Sequence, residues 1–207
     1  MTQIERIEAS GGKRGRVLVY LTDGACLKIT EQELLDFDLR AGDELDEDTR
    51  RRLKTAAGVS DTRAAAAEIM GRRAMSRRDL ERKLQEKGAS QVEARYAAEW
   101  MEAIGAINDT EYAAMLARHY GQRCYGPGWI REKLREKGIP RELWDDALEQ
   151  LPPEEEQIEA FLNSKLRGGV PDAQQQKKLA AALARRGFGW SEVRAAMSRW
   201  GEELPEE

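Results

Sequence analysis

The chain has little of what most enzymes and secreted proteins rely on. It has two cysteines and one histidine in 207 residues. Cys26 and Cys124 stand far apart, with no CxxC pair and no Cys/His cluster. That excludes a disulfide framework and argues against a zinc site, and fits two thiols in a reducing cytoplasm. His119 lies alone on a helical stripe, without the neighbours that a base or a metal ligand needs. No G-x-S-x-G, no GxGxxG after a strand and no phosphate-binding glycine-lysine loop is present. Gly126-Pro127-Gly128 lacks the lysine of such a loop and reads as a turn. The start of the chain carries Glu5, Arg6 and Glu8 instead of the apolar core of a signal peptide. No uncharged apolar stretch approaches the ~20 residues of a membrane helix. These absences predict a cytoplasmic protein that is not an enzyme, with no cofactor, no metal and no membrane contact.

What is present is charge and helix periodicity. Charged residues make up 35% of the chain and aromatics 6%, while 41% apolar content argues against disorder. The net charge of −4 hides an uneven layout. The first 50 residues carry seven basic side chains against twelve acidic ones, and the remainder is close to neutral. Within that remainder the basic residues gather on particular helices, and Glu154–Glu156 and Glu202–Glu207 are acidic.

The N-terminal stretch differs in kind. Arg16–Leu21 is β-branched and apolar, Thr22-Asp23-Gly24 is a hairpin signal, and Ala25–Ile29 reads as the returning strand. Ile4–Ala9 is placed as a third strand across the loop Ser10–Gly15. Thr30 and Glu33 have the spacing of a capping box, and Ala41–Leu45 reads as a turn with a short strand. Asp46–Ala57 is then expected as a helix stopped by Gly58, and Ser60–Arg73 as a second helix.

From there one phrase recurs at intervals of about fifty residues. Leu80-Glu81-Arg82-Lys83-Leu84-Gln85-Glu86-Lys87-Gly88 returns as Ile130-Arg131-Glu132-Lys133-Leu134-Arg135-Glu136-Lys137-Gly138, and again as Leu179–Gly187. A fixed period of this length means tandem helical modules that share buried faces. Each copy opens a predicted three-helix module. In the first, Ser76, Ser90 and Asn108 are placed to cap, with Asp79, Glu93 and Glu111 in the box positions. Val92, Tyr96 and Trp100 are expected to share the inner face of the second helix. Tyr112, Met115, Leu116 and His119 or Tyr120 are expected to line the third. The second module has Ile130 and Leu134, then Pro140 opening a helix with Leu143, Trp144, Ala147, Leu148 and Leu151, then Glu154–Leu166. The third is expected to hold two helices, near Asp172–Arg186 and Ser191–Trp200, with its third helix missing or shrunken. Trp100, Leu151 and Trp200 fall at matching module positions and read as core plugs. The boundaries that follow are 1–58 for a small β-rich domain, 59–125 and 126–170 for the first two repeats, and 171–207 for a truncated third repeat with an acidic tail.

The phrase helices carry the informative chemistry. Arg77, Arg78, Arg82, Lys83 and Lys87 cluster on the first, and Arg123, Arg131, Lys133, Arg135 and Lys137 on the second. Helical projection puts Arg78, Arg82 and Lys83 off the Leu80/Leu84 face. Tyr125 and Trp129 flank the turn before the second phrase and are candidate exposed anchors. Basic patches in register suit a regular polyanion or an acidic protein groove.

The phrase Ser76–Gly88, the link Ile107–Ala113 and the stretch Gly126–Leu148 together resemble the RecX family, over roughly residues 60–200. The β-rich start resembles an extension found in some members. The resemblance implies a mainly α fold of tandem three-helix repeats in an elongated curved rod, with the small β-rich domain at its N-terminus. It implies a regulator in DNA repair, recombination and the SOS response, and a monomer. The implied activity is binding to RecA and within the helical groove of RecA–DNA filaments, restraining strand exchange, ATP hydrolysis and coprotease function. On this reading the basic residues, with Tyr125 and Trp129, contact RecA or DNA, and direct DNA binding is weak. Two other classes fit helical modules: a free-standing DNA-binding protein, which the near-neutral balance of residues 51–207 disfavours, and a scaffold for an unrelated protein partner.

Overall fold

The computed structural model describes residues 2–11, 15–167 and 169–199. Gly168, Trp200, the acidic stretch Glu202–Glu207 and the middle of the Ser10–Gly15 loop lie outside the described residues. The chain divides into two compact units, Met1–Arg73 with Leu80–Ala106, and Ala74–Asp79 with Ile107–Glu207.

The first unit opens with an antiparallel sheet of β1 (Thr2–Ala9), β2 (Arg16–Leu21), β3 (Cys26–Thr30) and β4 (Glu44–Leu45), in the order β3-β2-β1-β4. The β2–β3 turn closes as the Asp-Gly pair requires. Gly24 takes φ 82, and the Asp23 carboxylate accepts from Ala25 N–H at 3.0 Å. Thr30 caps α1 (Glu31–Asp36) in a complete box with Glu33. Ile4, Val17, Val19, Leu21, Ile29, Leu39, Leu45 and Leu53 form one buried core beneath the sheet.

Leu53 belongs to α2 (Glu47–Met70), a single helix that runs through Gly58. The sequence reading broke it there, because glycine disfavours helix interiors by about 1 kcal/mol. Tertiary contact overrides that cost. Ser60 Oγ donates to Glu33 at 2.6 Å, and Arg16 reaches Asp61 at 2.7 Å, so both α1 and the sheet hold the helix just past Gly58. A Cβ at residue 58 would stand 2.3 Å from Glu93 Oε1. Gly58 is a close-approach glycine, and the helix stop is elsewhere.

The first unit ends with the body of α3 (Arg77–Glu86) and with α4 (Gln91–Ala103). Ser90 and Glu93 form the expected box at the start of α4. The inner face of α4 is not the expected one. Ala94, Ala97, Ala98 and Met101 are buried, whereas Val92 is 63% and Tyr96 55% exposed, and Trp100 is half-buried under Arg63. Alanines win the inner face because α2 packs directly on α4, and small side chains let two helix backbones approach. Leu80 and Leu84 are fully buried, as their spacing implies.

In the second unit, α5 (Asp109–Gly121), α6 (Pro127–Glu136) and α7 (Trp144–Leu148), the last entered through a 3-10 turn after Pro140, share a core. It comprises Ala113, Leu116, Ala117, Ile130, Leu134, Ile139 and Ala147. α8 (Glu154–Leu166), α9 (Ala173–Arg185) and α10 (Trp190–Ser198) share another, around Ile158, Phe161, Leu162, Leu183, Val193 and Met197. On α5 the stripe is Ala113, Leu116 and Ala117; Tyr112 and Tyr120 are half-buried, and Met115 and His119 are exposed. Asn108 caps α5 by accepting from Glu111 N–H at 3.0 Å.

The cores also shift the frame of the repeat. Each group begins one helix before the phrase, so that α5 precedes α6 and α8 precedes α9. The group containing α9 therefore has three helices, with α8 the first of them, where the sequence reading has a third helix missing or shrunken after α10. Periodicity measures the length of a repeat but not where a packed group starts.

The reassigned face of α4 is testable. Ala97→Leu is expected to destabilise by about 1–3 kcal/mol through overpacking, and Val92→Ser to stay within about 0.5 kcal/mol. Urea unfolding followed by circular dichroism reads both.

Candidate functional site

The phrase helices end alike. Ala89 N–H bonds Leu84 O at 3.0 Å, Ile139 N–H bonds Leu134 O at 3.0 Å, and Phe188 N–H bonds Leu183 O at 3.3 Å. Each bond encloses a left-handed glycine, Gly88 at φ 98, Gly138 at φ 69 and Gly187 at φ 83. This is the glycine stop that satisfies a helix's last carbonyls and turns the chain sharply.

Two of the three stops hold the first turn of another phrase helix. At Gly138, the Ser76 hydroxyl donates to Lys137 O while it also accepts from Asp79 N–H. Arg77 N–H donates to Asp109 at 2.9 Å. The Arg78 side chain lies across Gly138, with its Cδ 2.8 Å from where a Cβ would be. At Gly187, Gly126 N–H donates to Arg186 O at 2.8 Å and Gly128 N–H to Gly187 O at 3.0 Å. A Cβ on Gly187 would stand 2.1 Å from Trp129 N. Donors at one helix start thus meet acceptors at another helix end, and the helix dipoles favour the same arrangement.

Arg186 locks the second joint. Its Nη1 donates to Arg123 O at 2.7 Å and to Cys124 O at 3.1 Å. Its guanidinium lies 4.6 Å from the Tyr125 ring centre and 4.8 Å from that of Phe161. Cys124 itself takes φ 54 to end α5. The sequence marks Arg186 only as one of the basic residues of the third repeat, and shows neither its clasp nor the second bond of Ser76. The one available signal was the constant offset of about fifty residues, which aligns Ser76 with Gly126 and Lys137 with Arg186.

The candidate binding residues fall into three settings. Arg82 and Lys83 lie on α3 and Lys87 just past its end, in the first unit, where Arg82 pairs with Glu86 at 2.7 Å and Lys83 is half-buried. Arg77, Arg78 and Lys137 build the Gly138 joint. On and before α6, Lys133 pairs with Glu136 at 2.6 Å, Arg135 with Glu132 at 2.5 Å, and Arg131 with Asp145 at 3.7 Å. Arg123 meets the His119 ring. Bonding to Arg135 holds the Glu132 carboxyl below its ordinary range, and bonding to Glu136 raises the Lys133 ammonium. Glu132 and Lys133 are therefore both charged through the neutral range. Tyr125 and Trp129 are not exposed anchors. They are half-buried, 4.2 Å apart between ring centres, with Tyr120 against both rings and Lys133 over Trp129. Among the described residues no group of His, Cys, Asp and Glu is arranged to hold a metal, and no helix is long and apolar enough to cross a membrane.

Comparison with known proteins places this architecture. Residues 108–148 match the RecX second three-helix domain and residues 153–197 the third. These ranges coincide with the α5–α7 and α8–α10 groups. The regulatory protein RecX of Xanthomonas campestris pv. campestris strain B100 is 30% identical over 130 residues, covering 62% of this chain and 80% of that protein. The chain belongs to the RecX family. The regulatory protein RecX of Limosilactobacillus reuteri strain DSM 20016 is 29% identical over 199 residues, 92% of this chain and 74% of that one. A crystal structure of regulatory protein RecX superposes with a TM-score of 0.74 at 26% identity, over 96% of this chain and all of the other. RecX from Lactobacillus salivarius shares the fold, with a TM-score of 0.61 at 22% identity over 69% of this chain and 96% of that one. The mainly helical fold with tandem RecX three-helix domains and a small N-terminal sheet is therefore that of a RecX regulatory protein.

In this RecX chain the joints set the cost of substitution. Gly187→Ala is expected to destabilise by more than ~3 kcal/mol, because left-handed strain of about 1–2 kcal/mol adds to a collision with backbone. Gly105→Ala, at φ 73 with nothing near its Cβ position, should cost only the strain. Ser76→Ala should cost about 1–3 kcal/mol, as it removes a cap and leaves a carbonyl unpaired. Thermal and urea denaturation of the variants checks the order.

Proposed function

We propose that this RecX-family protein binds the RecA recombinase and its filament on single-stranded DNA, in the filament's helical groove, and restrains recombinase, ATPase and coprotease activity. It does so by binding, without catalysis of its own, as a cytoplasmic monomer. The observation that carries the reading is the pair of consecutive RecX three-helix domains joined through the Gly187 stop. A filament repeats its subunit surface at fixed intervals. Domains docked end to end repeat their own outer surface in the same way. Several weak contacts on one polymer then act together through effective concentration.

Charge favours a protein surface over bare nucleic acid. Arg82, Lys133 and Arg135 are already paired with carboxylates of their own helices, and the chain carries net −4. A protein that neutralised many phosphates would show an excess of free cations and a steep loss of affinity with salt.

RecA-driven ATP hydrolysis on single-stranded DNA is expected to fall as this protein is added at or below equimolar dose. No change at any such dose overturns the reading. Bare DNA should bind weakly, and tight salt-sensitive binding to it without RecA would favour a free-standing DNA-binding protein. Arg82→Glu with Arg131→Glu should weaken filament binding about tenfold with helicity unchanged; equal affinity would assign these faces to solvation alone.

A further inference from the structure

The third glycine stop, at the end of α3, has the same geometry as the other two and, among the described residues, nothing docked on it. A Cβ built on Gly88 meets nothing within 4 Å, whereas one on Gly138 or Gly187 strikes a docked helix start. Lys87 O and Gly88 O receive no hydrogen bond among the described residues, although their counterparts Lys137 O, Arg186 O and Gly187 O each accept one. The Lys87 ammonium has no ion pair or hydrogen bond there either, while its counterpart Arg186 clasps two carbonyls of the turn before the docked helix. The stop opens on a cavity of about 330 Å³ lined by Asp61, Thr62 and Ala65 of α2, by Lys87 and Gly88, and by Glu93.

We infer that the Lys87–Gly88 stop is an open socket for the first turn of a helix on the recombinase, one headed by Ser, Thr or Gly. This rests on the function proposed above. The chemistry of the occupant follows from the two filled sockets. Both are rich in acceptors, and both take a hydroxyl or N–H donors from a helix start whose cap is Ser76 or Gly126. Here the acceptors are Lys87 O and Gly88 O at the negative end of α3, with Asp61 and Glu93 close by, and they suit the positive end of a helix. Lys87 supplies the clasp on the preceding turn. Among the phrase-helix starts of a second copy none matches, those at Ser76 and Gly126 being already seated. Its remaining phrase-helix start, that of α9, is capped by Asp172. The Asp172 N–H is bonded to Gln175 Oε1 at 3.1 Å, and its carboxylate would face the carbonyl oxygens of the socket.

Gly88→Asn tests this, because asparagine tolerates the left-handed conformation and its side chain fills the position that a docked helix would occupy. Gly105→Asn is the control, at φ 73 with equal open space and no socket. Lys87→Glu tests the clasp without touching the turn. Binding of the full chain to RecA filaments on single-stranded DNA is measured for all three, with thermal melting and sedimentation velocity alongside. The expected result is affinity reduced about tenfold for Gly88→Asn and Lys87→Glu, wild-type affinity for Gly105→Asn, and Gly88→Asn melting like Gly105→Asn. Equal affinity of all variants while wild type binds overturns the socket and leaves the proposed function standing. A wild type that does not bind the filament overturns both. Self-association of wild type that Gly88→Asn and Lys87→Glu abolish would replace the recombinase with a second copy as occupant.

Discussion

The described fold depends on one recurring contact, a helix start seated on a left-handed glycine at another helix's end. Hydrophobic cores hold each three-helix group together, but they do not fix the angle at which groups meet. Within the second unit, that angle is set where Gly126 and Gly128 N–H groups reach Arg186 O and Gly187 O. The contact is short and directional, and backbone atoms form much of it. It permits little sliding, since a Cβ on Gly187 already collides with Trp129 N. Tandem modules usually gain their cooperativity from side-chain interfaces between neighbours. Here backbone donors and acceptors carry much of that coupling, so glycine and serine matter at the joints as much as leucine does in the cores.

The parts of this arrangement that were legible in the sequence are those with a local cause. Thr30, Ser90 and Asn108 cap because their side chains reach N–H groups three residues on. Leu80, Leu84, Ile130, Leu134 and Leu183 are buried because a four-residue spacing puts them on one face. The parts that were not legible have distant causes. Gly58 reads as a stop until Glu93 is seen against it. Val92 and Tyr96 outrank alanine by hydrophobicity, yet the close approach of α2 gives the inner face of α4 to Ala94, Ala97 and Ala98. The candidate site divides in the same way. Its basic residues were visible as a list. Their partners were not, and those partners turn Arg82, Lys133 and Arg135 into internal ion pairs, and Arg78, Tyr125 and Trp129 into parts of joints.

This changes what the basic phrase means. Surface ion pairs three or four residues apart add only a few tenths of a kcal/mol each. They keep a helix soluble and its charge locally balanced without building a field. Such a surface can lie close to a charged polymer without being captured by it at random positions. Selectivity is then left to geometry, meaning the spacing of the modules and the shape of whatever they rest in.

Geometry of this kind needs its angles fixed before binding, because ordering a loose joint on contact would consume the affinity gained. Arg186 shows how the fixing is done. One guanidinium bonds two carbonyls of the turn that ends α5 and lies against Tyr125 on one side and Phe161 on the other. It thereby ties the α5–α7 core to the α8–α10 core through a single planar group. Lysine has the charge but not the fork or the flat face, so it would hold one carbonyl and lose the stacking. The phrase carries Lys87 and Lys137 at the first two copies and Arg186 at the third. Arginine therefore stands at the joint where backbone bonds seat two domains directly on each other. At the Gly138 joint, by contrast, the Ser76 hydroxyl, the Arg77 N–H and the Arg78 side chain supply the contacts.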